Sequence, residues 1–160
     1  MRTKIGDILN VSNGIIIQQV NAQGVMGSGL AKTIREKYPL VFDTYSKEVK
    51  SAFLKSGLLG TVIPVQVTEK LLILNIVGQN NYGRDKNIRY TSYDALDTAF
   101  KKIAQKTIAG TYELAGDINI PEIGAGLGNG SWPVIEKIIL QHLNEEWEKE
   151  TSREVVFWKF

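Results

Sequence analysis

Apolar positions along the chain follow two rhythms. Gly14-Ile15-Ile16-Ile17-Gln18-Gln19-Val20 and Lys70-Leu71-Leu72-Ile73-Leu74-Asn75-Ile76-Val77 are nearly continuous apolar runs of strand length. Runs of this kind suit strands covered on both faces, because alternation disappears when neither face meets water. Thr3 to Gly6, Gly60 to Val67, Asp117 to Pro121 and Glu154 to Trp158 read as further strands.

Between these runs the spacing turns helical. Leu30, Ala31 and Ile34 share one face of a helix that must stop near Pro39, and Phe42, Tyr45 and Val49 carry the i, i+3, i+7 spacing of the next. Thr91 with Asp94 has the form of a capping box, opening a helix through Leu96, Ala99, Phe100 and Ile103. Ser131 is placed to cap the last helix, with Pro133 in its first turn and Ile135, Ile138, Ile139 and Leu143 facing inward. Strands alternating with helices predict an α/β fold, a three-layer α/β/α sandwich around a central mixed sheet, built by residues 1–160 as one domain. Gly78 to Tyr90 fits neither rhythm, and an irregular stretch of that length is commonly a lid or binding loop.

Composition narrows the function classes. Hydrophobic residues make up 43% and charged residues 22% of the chain, and no apolar run reaches the roughly 20 residues needed to cross a bilayer. Met1-Arg2-Thr3-Lys4-Ile5-Gly6 lacks the apolar core of a secretory signal, so a cytoplasmic location without a membrane partner is expected. With no cysteine there is no thiolate nucleophile and no Cys-based zinc site, and a single histidine, His142, excludes a multi-histidine centre. No metal or cofactor is expected. A net charge of +2, without basic residues interleaved with aromatics, argues against a nucleic-acid partner. Asn144-Glu145-Glu146-Trp147-Glu148-Lys149-Glu150 reads as the solvated end of a helix, and His142 as a helix-edge residue far from any chemistry.

Two glycine-rich segments hold the chemistry on offer: Asn21-Ala22-Gln23-Gly24-Val25-Met26-Gly27-Ser28-Gly29-Leu30-Ala31 and Pro121-Glu122-Ile123-Gly124-Ala125-Gly126-Leu127-Gly128-Asn129-Gly130. They contain seven of the fifteen glycines. Each follows an apolar run and leads into a helical pattern, which sets bare backbone N–H groups at helix N-termini, where an anion is favoured. Glycine at such a junction also serves positive φ alone, so either segment by itself is weak. Together they point to one anionic ligand held between two turns. Asn21, at the end of a buried strand, either caps its turn or uses its carboxamide to donate to and accept from a sugar hydroxyl.

In order and spacing, Gly6-Asp7, Val20-Asn21, Gly24-Val25-Met26-Gly27-Ser28-Gly29-Leu30-Ala31 and Ile123-Gly124-Ala125-Gly126-Leu127-Gly128 resemble the macro domain, from Lys4 to the last strand. Gly78-Gln79-Asn80-Asn81-Tyr82-Gly83-Arg84-Asp85 followed by Arg89-Tyr90-Thr91 looks like its branch of ADP-ribose 1''-phosphate phosphatases. The resemblance implies that Asp7 accepts from the adenine amine, that the Ile8 N–H binds the ring, and that Trp158, then Phe160, lies against the base. It implies that Gly24 to Leu30 and Ile123 to Asn129 wrap the diphosphate and distal ribose, and that Asn21 aligns that ribose. Asp85 reads equally as a general acid or water-orienting group and as a hydrated loop acid beside Arg84 and Lys86.

Departures from the family pattern bear on mechanism. Some phosphatase relatives carry His three residues before the matching Asn, where this chain has Gln18, which argues against a His-dependent route. Related glycohydrolases use a Lys after the fourth strand and in some cases an Asp in the second glycine segment; here those places read Gly78 and Gly128, which argues against a Schiff base. The resemblance therefore implies a phosphatase acting on ADP-ribose 1''-phosphate by positioning water, with Asn21 and Asp85 as catalytic candidates. Its rivals are a non-catalytic module binding ADP-ribose, free or on an ADP-ribosylated protein, and a de-ADP-ribosylating glycohydrolase.

Overall fold

The computed structural model describes residues 1–112 and 116–160. Six strands, β1 (Arg2–Ile5), β2 (Gly14–Asn21), β3 (Val62–Gln66), β4 (Leu71–Gln79), β5 (Ile118–Pro121) and β6 (Val155–Lys159), form one sheet in the order β1-β6-β5-β2-β4-β3. All neighbours are parallel except β3 and β4, which form an antiparallel hairpin at one edge. The sheet is mixed and carries helices on both faces, as the alternating pattern predicts.

Both faces of β2 are apolar for a reason visible in the layers. Ile15 and Ile17 pack with Leu74, Ile120 and Phe157 under α3 (Tyr93–Ile108), α4 (Trp132–His142) and α5 (Glu145–Thr151). Ile16 and Val20 pack with Ile73, Val77 and Trp158 under α1 (Gly29–Lys37) and α2 (Pro39–Ser51). A buried amide pair interrupts the second face: Gln18 Nε2 donates to Asn75 Oδ1 at 2.7 Å, and Asn75 Nδ2 donates to the Ile63 carbonyl at 2.9 Å. Trp158 Nε1 donates to Asn119 Oδ1 at 2.8 Å on the same face.

Three sequence expectations are corrected. Thr91 does not cap α3; Ser92 does, its Oγ accepting from the Ala95 N–H at 3.1 Å. Ser131 occupies the position before α4 without a side-chain capping bond. The charge run 144–150 is a separate helix, α5, capped by Asn144 Oδ1 on the Trp147 N–H at 3.0 Å, with Trp147 only 2% exposed. The indole anchors that helix in the core by donating to Thr107 Oγ1 at 2.8 Å. His142 pairs with Asp97 at 2.7 Å, on α4 and α3. Among the described residues no helix is long and apolar enough to cross a membrane, and no cluster of three His, Cys, Asp or Glu could hold a metal.

Candidate functional site

The strand order fixes where a site can form. From β2 the chain continues on one side, through β3 and β4, and β5 lies on the other. A crevice opens beyond the carboxyl ends of parallel strands where connections part in this way. The segment following β2 (loop 1, residues 22–28) and the one following β5 (loop 2, residues 122–131) flank that point. They enclose a cleft of about 870 Å³, floored by Gln18, Asn21 and Trp158.

Loop 2 is held from below. Gly124 has φ +71°, its carbonyl accepts from the Gly130 N–H at 2.7 Å and from Thr91 Oγ1 at 2.8 Å, and Gly128 O accepts from the N–H groups of Tyr90 and Thr91, both at 3.0 Å. Thr91 Oγ1 also accepts from Gln19 Nε2 at 3.0 Å, and the same nitrogen donates to Gln79 Oε1 at 2.8 Å. These bonds lace loop 2, the irregular stretch after β4 and the end of β2 into one frame. Among the described residues, no hydrogen bond uses the N–H groups of Met26, Gly27 and Ser28 on one wall, or of Ala125, Gly126 and Leu127 on the other.

The glycines divide by what a side chain would meet. A Cβ on Gly128 would overlap Thr91 Oγ1 and lie 2.8 Å from the Gly124 carbonyl oxygen, so the fold itself demands glycine there, whereas one on Gly78 would meet only the movable end of the Gln19 side chain. A Cβ on Gly126 meets nothing within 4 Å, and one on Gly27 meets only Val25 Cγ1 at 3.7 Å. Neither has positive φ. Packing within the protein does not explain glycine at 27 and 126, and both residues line the cleft.

Asn21 ends β2 and is 7% exposed. Its Oδ1 accepts from the Gln23 N–H at 2.9 Å and the Val25 N–H at 3.3 Å, while its Nδ2 donates to the Val25 carbonyl at 2.8 Å. One amide hydrogen remains for a ligand. Arg84 also lines the cleft, reaches Ser28 Oγ at 3.5 Å and makes no ion pair with any described residue.

No family model matches the chain. A solved protein of unknown function from Bacteroides thetaiotaomicron is 28% identical, with a TM-score of 0.79, covering 98% of this chain and 96% of its own. The macrodomain of Mycobacterium tuberculosis DarG superposes with the same TM-score of 0.79 at 20% identity, over 100% of this chain and 98% of its own. The chain has the macrodomain fold. A curated DNA ADP-ribosyl glycohydrolase of Mycobacterium tuberculosis is 25% identical over 132 residues, 82% of this chain. The chain spans about a third, 35%, of that relative's length.

The cleft gathers most of the residues singled out in the sequence: Asn21, Val25 to Leu30, Ile123 to Gly128, Trp158 and Phe160. Asp7, Ile8, Gly24, Asp85 and Asn129 stand outside its wall. Asp7 caps a single 3-10 turn, Ile8–Asn10, through Oδ1 on the Leu9 N–H at 2.9 Å, and stays exposed. A Cβ on its neighbour Gly6 would come within 3.5 Å of the Trp158 ring, so the Asp7 corner adjoins the cleft at that end. Asn129 Nδ2 binds the carbonyls of Asp85 at 2.9 Å and Ile88 at 2.6 Å, a tie between loops. Asp85 turns its carboxylate back onto the Asn87 N–H at 2.9 Å. Sequence reasoning missed Gln19, Thr91 and Tyr45. The polar pair Gln18-Gln19 inside an apolar strand was the available signal for the first, because a buried amide there must have a partner.

Proposed function

We propose that this macrodomain binds ADP-ribose across the carboxyl edge of its sheet and hydrolyses a derivative at the distal ribose. The N–H groups of two cleft-lining runs, Met26 to Ser28 and Ala125 to Leu127, have no acceptor among the described residues and carry this reading, since oriented backbone amides are an anion site. Adenine sits at the β6 end beside Trp158. There Asp7 takes the exocyclic amine, and Ile8, first residue of its turn, has an N–H with no acceptor inside that turn. The diphosphate lies between loops 1 and 2, and the distal ribose meets the free Asn21 amide hydrogen.

At that end the group removed is a phosphate. Arg84, on the cleft lining, has no carboxylate partner among the described residues, and a phosphoryl group leaving through a loose transition state needs positioning and charge more than a nucleophile. Asn21 is the catalytic residue of this reading because it orients the ribose beside the attacking water. Asp85 has no direct part in it, with its carboxylate bound to its own loop. A second reading, removal of ADP-ribose from a macromolecule, is favoured by the likeness to the curated DNA ADP-ribosyl glycohydrolase. Against it, glycine stands at 78, where a Cβ would crowd the end of the Gln19 side chain.

One assay separates these readings. ADP-ribose 1''-phosphate is expected to release inorganic phosphate, and ADP-ribosylated DNA or protein to remain intact. Release of ADP-ribose from either macromolecule, without phosphate release, would install the second reading. Binding of ADP-ribose with neither reaction would leave a recognition module.

A further inference from the structure

Tyr45 lies far from both glycine segments in sequence, in the middle of α2, and is completely buried. Its place in the helical spacing marks it as core, and its ring packs edge-on to Phe42. A phenylalanine would satisfy that role. The hydroxyl does something the core does not require. It donates to Asn21, whose carbonyl oxygen lies at 2.5 Å and whose Oδ1 lies at 2.9 Å, and it accepts from the Gly24 N–H at 3.1 Å. A phenol has one proton, so the donor is shared between the two oxygens.

These bonds decide the course of loop 1. Asn21 Oδ1, held by Tyr45, is the acceptor that turns the Gln23 and Val25 N–H groups inward, and Gly24 between them stands at φ +82°. Val49, one turn further along α2, meets the outer side of Gly24, at 3.5 Å from where a Cβ would be. One helix face thus grips the loop by a hydroxyl and a methyl. Beyond Val25 come Met26, Gly27 and Ser28, which line the cleft and whose N–H groups have no acceptor among the described residues.

We propose that Tyr45 is a positioning residue for ligand binding: it fixes loop 1 in its ligand-ready shape before a ligand arrives. The proposal rests on the ADP-ribose reading above. Without the hydroxyl, Asn21 and Gly24 lose their common anchor, and the loop must be ordered at the expense of ligand affinity. Burial pushes the Tyr45 hydroxyl up to about 12, against the pull of the Gly24 and Val25 N–H groups, so it remains a donor across the working pH range.

The test compares wild type and Tyr45→Phe in the full chain, with ADP-ribose followed by calorimetry and adenosine by NMR titration. Adenosine engages only the Asp7 end and reports whether the rest of the cleft stands. Affinity for ADP-ribose is expected to fall about 10- to 100-fold with adenosine unchanged, the cost of an anchoring bond and of ordering the loop. Unchanged ADP-ribose affinity, or a parallel fall for both ligands, overturns the proposal. If wild type does not bind ADP-ribose at all, the underlying reading falls and the proposal with it. Hydrogen exchange on ligand-free wild type is independent of any variant: the Gly24 amide is expected to be protected already, and fast exchange there would overturn the proposal even if Tyr45→Phe failed to fold.

Discussion

Gly126 offers the sharpest separation of binding from folding. The position has no positive φ and open space around its missing Cβ, so Gly126→Val brings no left-handed backbone strain and no clash at Cβ. Restricting the unfolded chain at a compatible glycine even stabilises slightly, by up to about 1 kcal/mol for alanine. The cost falls on the ligand. The valine methyls occupy the space in front of the Ala125 to Leu127 amides and hold a phosphate oxygen beyond hydrogen-bonding reach. Losing one or two charge-assisted bonds costs about 1.5 to 3 kcal/mol, so ADP-ribose affinity should drop roughly 10- to 100-fold. Gly128→Ala is the contrasting variant, because its Cβ would sit 2.3 Å from Thr91 Oγ1 and 2.8 Å from the Gly124 carbonyl. Overpacking of that order costs about 1 to 3 kcal/mol, and in a domain of this size each kcal/mol lowers Tm by about 2 to 4 °C. Calorimetry of binding and of melting on both variants gives the four numbers needed. A Gly126→Val protein that melts several degrees lower, or that binds ADP-ribose like wild type, refutes the assignment of the loop 2 amides to the diphosphate.

Three further outcomes are expected. Asn21→Ala should cut the rate of phosphate release by about 10² and also lower stability by about 1 to 3 kcal/mol, because the Gln23 and Val25 N–H groups lose their acceptor; a stable variant with full turnover would remove Asn21 from the reaction. Asp7→Ala should weaken ADP-ribose by about 1 to 3 kcal/mol while leaving the inosine analogue, which lacks the exocyclic amine, nearly unaffected; equal losses for both ligands would mean Asp7 acts only by capping its turn. In alkali, Tyr45 ionises near its ordinary value of 10 when unfolded and at about 12 when folded, so its share of stability is intact below pH 10 and declines between pH 10 and 12, by roughly 2 to 3 kcal/mol in all. Tyr112, also raised by burial, acts in the same direction, and urea melts against pH should show a shallower alkaline decline for Tyr45→Phe.

Strands and long helices were legible because burial on two faces leaves an apolar run, and burial on one leaves a 3.6-residue period. What escaped was the part decided by tertiary hydrogen bonds. Thr91 and Ser92 are adjacent hydroxyl residues, and local spacing favours the first as the cap; the first instead turns to Gln19 and the Gly124 carbonyl, contacts made across the fold. Helix α5 was hidden among charges because a single buried indole, Trp147, fixes it. The glycine segments were readable as a pair, yet sequence alone could not separate Gly126, open to the cleft, from Gly128, needed by Thr91. Tyr45 looked like any apolar core position because a helical period records where a ring is buried and not what its hydroxyl touches.

The two glycine loops belong to strands that meet as Ile15 with Ile118, residues roughly a hundred positions apart in the chain. Neither half of the cleft is a local hairpin that could form alone. A ligand spanning both loops therefore binds only the fully assembled sheet and acts as a clamp on global unfolding. By linkage, at a free concentration of a hundred times Kd it would add about 2.7 kcal/mol to stability. Saturating ligand should for that reason slow amide exchange in central strands it never touches, so the cleft also reports the cooperativity of the whole domain.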